Sequence, residues 1–174
     1  MKLKLFGNHC LRQKATAVSE YNDSLKILVK IMIEVMYREE GIGLAANQIG
    51  YGESVCVMDS SEPDENGIRN KAKVFINPRI TEATSASISV EESCLSIPGV
   101  FAKTERFSSV TVVYNTEDGL EIEEQLSGIE AIAIQHEVDH LNGKLYVDML
   151  GPVKRNLLLN KSQKYVKAKA RGSV

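Results

Sequence analysis

No stretch of this sequence carries the roughly 20 consecutive apolar residues needed to cross a bilayer. The opening MKLKLFGNHC has neither the apolar segment of a secretory leader nor the Arg- and Ser-rich character of a transit peptide. A chain without membrane span or leader is therefore expected. Cysteine is scarce: Cys10, Cys56 and Cys94 are the three in 174 residues, too few and too scattered to staple a disulfide scaffold. That favours a reducing, cytoplasmic setting in which any special cysteine serves as ligand or nucleophile. An excess of one charge sign is lacking too. The formal net charge is −2, so bulk electrostatics do not draw the whole molecule to nucleic acid or membrane. What remains, 43% hydrophobic and 25% charged residues, is the make-up of a globular chain long enough to bury one core.

Several elements are legible from periodicity. In NDSLKILVKIMIEVMYREEG, Leu25, Leu28, Val29, Met32, Val35 and Met36 recur at helical spacing and predict one buried stripe. Asp23 or Ser24 is the expected cap and Gly41 the expected stop. ESVCVMD and KVFINP read as strands, the second ended by Pro78. ASISV reads as a strand leading into a tight EESCLSIPG segment bounded by Pro98 and Gly99. SSVTVVYN and LEIEEQL flank a TEDG turn. SGIEAIAIQHEVDHLNG predicts a second helix, with Ser127 and Glu130 spaced as a capping box and Asn142-Gly143 as the stop. The tail from Pro152 predicts a third helix. Without regular strand–helix alternation, the fold class is α+β with mostly antiparallel pairing. Nothing divides the chain, so 1–174 is expected to be one domain, with 151–174 as a basic C-terminal helix or tail.

Histidine is rare, with three in the chain, yet QHEVDH uses two of them four positions apart. On a helix, His136 and His140 lie one above the other and can aim two imidazoles at one point. This is the His-Glu-x-x-His metal motif, with Glu137 placed to take a proton from water on the ion's open side. The residues before it on the same face, Ile129, Ile132 and Ala133, suggest burial, either as core or as the lining of an apolar pocket. A catalytic ion needs a third protein ligand. No histidine or glutamate follows the motif, and Asp148 is the only later acid. The third ligand is therefore expected upstream. Cys94 is the first candidate, Cys56 reads better as a buried strand residue, and His9 with Cys10 reads as a surface pair.

Taken in order, GIGLAANQ, EESCLS and QHEVDH resemble the three motifs of the peptide deformylase family, and the likeness runs from the first helix to about Leu150. The resemblance implies a central metal-binding helix wrapped by short antiparallel sheets, flanked by an N-terminal and a C-terminal helix. It implies Cys94, His136 and His140 as ligands of one divalent ion, Fe2+ in the native state with Zn2+, Ni2+ or Co2+ able to substitute. It implies Glu137 as general acid/base, with the Gln48 amide and the Leu95 N–H stabilising the oxyanion. Gly43 would pair with the substrate backbone, Glu92 matches the acid of the second motif, and Ile42, Leu44 and Val90 join Ile129, Ile132 and Ala133 around a methionine side chain. Two departures stand out: Ser93 replaces the usual glycine, which matters if that position needs a positive φ, and Phe101 lies where many members carry a basic residue.

The activity implied is removal of the N-formyl group from formyl-methionyl nascent peptides by attack of water activated at the metal. A metallopeptidase or other amide hydrolase with the same Cys-His-His centre is the alternative, and a non-catalytic metal- or ribosome-bound module the third. After Asp148 the chain carries Lys154, Arg155, Lys161, Lys164, Lys167, Lys169 and Arg171 and no acid. That is either a solvated helix face or, as the family implies, a contact to ribosomal RNA. A monomer in a bacterial-type cytoplasm is expected, with an organellar origin as the alternative.

Overall fold

The computed structural model describes residues 1–84 and 86–172. Its helices are α1 (Asp23–Arg38), α2 (Gly128–Leu141) and α3 (Pro152–Ala170). Its strands are β1 (Gly43–Ala45), β2 (Val55–Met58), β3 (Lys73–Ala83), β4 (Ser87–Cys94), β5 (Ile97–Phe107), β6 (Ser109–Asn115) and β7 (Glu121–Ser127). Strands β1-β2-β3-β6-β7 form one sheet in that order, and β4 and β5 form a separate hairpin. Every pairing between these strands is antiparallel, the α+β arrangement expected.

Alternation along the sheet sorts the two main helices onto opposite faces. Val55, Val57, Ile76 and Leu44 pack with the α1 stripe. Cys56, Met58, Phe75 and Ala45, one position out of phase, pack with Ala131, Ala133, Ile134 and Leu141 of α2. All six stripe residues of α1 are buried, each contributing about 1.5–3 kcal/mol of apolar transfer if fully withdrawn from water. On its other side α2 faces the β4–β5 hairpin. There Cys94, Ile97 and Val100 cluster with Leu11, Tyr146 and Leu159, the last from α3.

Five local expectations change. Asn22 caps α1, accepting the Leu25 N–H at 3.2 Å. The stop of α1 uses Glu40 in the left-handed region, φ 57, with the Gly41 N–H returning to Met36 O at 2.9 Å. Gly41 is needed for a different reason: a Cβ there would sit 2.8 Å from Leu95 Cδ1. Ser127 makes no capping bond, and the Glu130 carboxylate lies 3.5 Å from Lys73 rather than over the helix start. Strand β3 does not end at Pro78. It slips register between Ile76 and Arg79, and Asn77, φ 52, fixes the bulge by bonding both backbone groups of Val18. A bulge is where a strand tolerates proline's missing N–H. Likewise Pro98 and Gly99 lie inside β5; Cys94 pairs with Ile97 across a two-residue turn.

Candidate metal centre

The tight turn of the β4–β5 hairpin brings Cys94 down onto α2. Its Sγ lies 3.1 Å from His140 Nε2, and one donor atom each from Cys94, His136 and His140 fall within 4.8 Å of one another. Ligand bonds of about 2.3 Å to sulfur and 2.1 Å to nitrogen in a tetrahedral array imply donor separations of roughly 3.5 Å. The observed spacing brackets that value, and one thiolate with two imidazoles suits zinc, ferrous iron, nickel or cobalt. The residues present therefore fit a divalent ion.

His136 donates from Nδ1 to Glu92 Oε2 at 2.7 Å, which leaves Nε2 for the ion. Glu92 is itself gripped by Arg106, Nε to Oε1 at 2.8 Å and Nη2 to Oε2 at 3.1 Å, and by the Thr104 hydroxyl. Arg106 also reaches Asp139 at 2.7 Å. Burial alone would raise the Glu92 pKa, but the His136 and Arg106 bonds and charges outweigh it and hold the carboxyl near 2. Glu92 and Asp139 keep the Arg106 pKa above its usual range despite burial. Burial pushes His140 well down, which keeps its nitrogen lone pair free for a cation.

Glu137 is 4% exposed, and its Oε2 has no hydrogen-bond partner. Burial raises its pKa to about 7; the His136 and Arg106 charges oppose that rise and the Glu92 charge adds to it. A Cβ on Gly43 would collide with this carboxylate, so glycine is what lets β1 and α2 approach. Gln48 is oriented from behind: Ala45 N–H donates to its Oε1 at 2.8 Å, turning the amide nitrogen toward Ser96 Oγ at 3.2 Å and Cys94 Sγ at 3.7 Å.

These groups meet in a cleft of about 1050 Å³, lined among others by Ile42, Gly43, Gln48, Val90, Leu95, Ile129, Ile132, Ala133, His136 and Glu137. The face bearing Ile129 runs from open to core: Ile129 is 54% exposed, whereas Ala133 lines the cleft from within the buried cluster against the sheet. Leu44 does not join the lining. Strand alternation turns it to the α1 face, fully buried in that core. Glu92 borders the cleft, yet its carboxylate is spent on His136, Arg106 and Thr104, so it acts as a support rather than as a peptide contact. Ser93 sits at the register shift between Glu92 and Cys94. It is not among the non-glycine residues with positive φ, so serine carries no left-handed strain there. Cys56 is fully buried in β2, where desolvation raises its thiol pKa.

Sequence reasoning passed over Arg106, Thr104 and Asp139. A signal existed: Ala102, Thr104 and Arg106 share the inward parity of β5, and a buried guanidinium demands a partner.

The polypeptide deformylase family model matches residues 1–156. Peptide deformylase 1 of Shewanella oneidensis is 42% identical over 171 residues, 98% of this chain and 98% of that protein. The crystal structure of a peptide deformylase from Legionella pneumophila superposes with a TM-score of 0.89 at 36% identity, covering 98% of this chain and 97% of that one. A peptide deformylase from Synechococcus elongatus, solved in complex with actinonin, gives 0.84 at 37% identity over 93% of this chain and 85% of that one.

Proposed function

Because this chain belongs to the polypeptide deformylase family, we propose that it hydrolyses the N-terminal formamide of formyl-methionyl nascent peptides, releasing formate, with Cys94, His136 and His140 holding one divalent cation. The observation that carries this reading is the convergence of those three donors, within 4.8 Å, beside a buried carboxylate oxygen of Glu137 that has no partner. A divalent cation held by these donors supplies Lewis acidity, polarising a carbonyl and making water acidic enough to lose a proton near neutrality. Fe2+ is the proposed native ion, with Zn2+, Ni2+ or Co2+ as substitutes.

Glu137 takes a proton from the attacking water and returns it to the departing amine. The Gln48 amide, held from behind by Ala45, donates to the oxygen that becomes negative, with the Leu95 N–H beside it. Donors preorganised in this way are worth about 3 kcal/mol each. Strand β1 ends its sheet, so Gly43 offers unpaired backbone to an extended peptide. Ile42, Val90, Ile129, Ile132 and Ala133 surround the first side chain, an apolar setting that suits methionine. The crowding between Gly43 and Glu137 favours formyl, which carries only hydrogen beyond its carbonyl, over larger acyl groups.

The whole chain acts as one catalytic domain and as a monomer in a bacterial-type cytoplasm. No helix among the described residues is long and apolar enough to cross a membrane. Arg155 of α3 pairs with Asp148 at 3.2 Å, while Lys154, Lys161, Lys164 and Lys167 are left to contact ribosomal phosphates in a salt-dependent way.

The test is formate release from formyl-Met-Ala-Ser by anaerobically prepared protein, with metal analysis of the same sample. One ion per chain and formate in step with free amine are expected. Cleavage inside an unformylated peptide without formate would replace this reading with that of a metallopeptidase. Glu137→Ala should keep the ion and lose hydrolysis by a factor of about 100 or more.

A further inference from the structure

The loop between β2 and β3, residues 59–72, contributes nothing to the cleft lining, yet it holds the cleft's lip. Arg69 spans two main-chain carbonyls with its fork: Nη2 donates to Gly41 O and Nη1 to Asp59 O, each at 2.8 Å. The Asp59 N–H in turn donates to Ile42 O at 2.9 Å. The Asp59 carboxylate gathers the Tyr37 hydroxyl at 2.6 Å, the Ser61 N–H at 2.9 Å and the Lys71 N–H at 2.9 Å. The end of α1, the loop and the segment Gly41–Gly43 are thus fastened through one carboxylate and one guanidinium. Beyond this clamp the lip is held at its two ends, by the Gly41 N–H to Met36 O at 2.9 Å and by the pairing of Gly43 with Met58. It begins at Glu40 in the left-handed region and contains two glycines.

We infer that Arg69 is a positioning residue for peptide binding. It fixes the Gly41–Gly43 main chain in the extended form along which an incoming peptide pairs, while touching neither peptide nor cation. The inference rests on the deformylase reading and adds to it a residue on the far side of the lip. A planar fork can hold both carbonyls at once, which a lysine ammonium cannot do with the same geometry. Without it the lip must be ordered by each arriving peptide, so binding weakens. Glu137, Gln48 and Cys94 are anchored through other contacts, so the chemical step is left nearly intact.

The experiment compares wild type, Arg69→Ala and Arg69→Lys on formyl-Met-Ala-Ser, with amide hydrogen exchange measured on the same proteins. Arg69→Ala is expected to raise KM about tenfold with kcat within about twofold, the pattern of lost uniform binding, and Arg69→Lys to fall between. Exchange should quicken at the Asp59 and Lys71 amides, both bonded within this clamp, and stay unchanged in α2. Unchanged KM and exchange in Arg69→Ala overturns the inference, as does a fall in kcat at constant KM. If Arg69→Ala fails to fold, Arg69→Lys and Tyr37→Phe carry the same test with smaller shifts in the same direction. If wild type releases no formate from any formyl peptide, the deformylase reading fails. The exchange arm then decides the clamp alone, acceleration at those amides supporting it and no change refuting it.

Discussion

His136 and His140 leave the same helix four residues apart, point toward the same cysteine, and are supported in opposite ways. Behind His136 stands a chain of charge: Glu92, then Arg106 and Thr104, then Asp139. Behind His140 stands packing. Its Nδ1 has no partner and it is 1% exposed. The nearest polar brace, the Asn47 side chain, donates to its main-chain carbonyl rather than to its ring. One ligand is held by electrostatics that a single substitution can undo. The other is held by shape, which fails only if a neighbour is carved away or the helix end shifts.

The largest break in that contrast should come from Glu92→Ala. Metal affinity is expected to fall by 10- to 100-fold, as when a carboxylate behind a ligating histidine is lost. Arg106 is left buried with Asp139 as its remaining acid, and stability should drop by about 3 kcal/mol. Asn47→Ala frees only one carbonyl at the end of α2 and should lower stability by about 1 kcal/mol, with metal affinity nearly unchanged. Chelator competition and urea unfolding read both, and equal effects from the two variants would erase the distinction.

Titration of the metal-free chain sharpens the same contrast. His140 is held below its usual pKa by burial. It weakens the fold as pH drops below about 6.5, where the unfolded chain takes up a proton that the native one refuses. His136 is held above its usual range: burial opposes this, but the Cys94 and Glu92 bonds win. Its contribution is full below about 6.5 and fades as pH rises. Glu92, near 2 in the fold and about 4.3 unfolded, stabilises fully above the higher value, and that contribution disappears as pH falls toward the lower. Glu92→Gln should flatten the acid limb of the urea stability profile between about pH 4 and 2. An unaltered limb would mean that other carboxylates carry it.

The smallest effect should follow Ser93→Gly. The residue is exposed and free of left-handed strain, so restoring the family's glycine should leave kcat/KM within about twofold. Stability should fall by roughly 0.5–1 kcal/mol through chain entropy. A large gain in activity would instead mean that the serine side chain obstructs the cleft.

Much of this arrangement is written locally. The α1 stripe and the i, i+4 histidines follow from helical period alone, and the three motifs together pointed to Cys94, Gln48 and Gly43. What escaped was nonlocal. Glu92, Arg106 and His136 meet across 14 and 44 residues of chain, and no local pattern encodes that meeting. Proline misled twice, at Pro78 and Pro98, because a bulge or a hairpin strand tolerates what a central strand would not. Leu44 was assigned to the pocket from motif membership, where strand parity would have sent it to the core. Arg69 looked like one more charge in a polar loop, since only the folded lip reveals which carbonyls it answers.

The brevity of β1 has a further consequence. An outermost strand with open backbone is the usual seed of runaway association between protein copies. At three residues this margin offers too little open backbone to template a long ladder, so the edge that the proposed function assigns to a peptide carries little of that hazard.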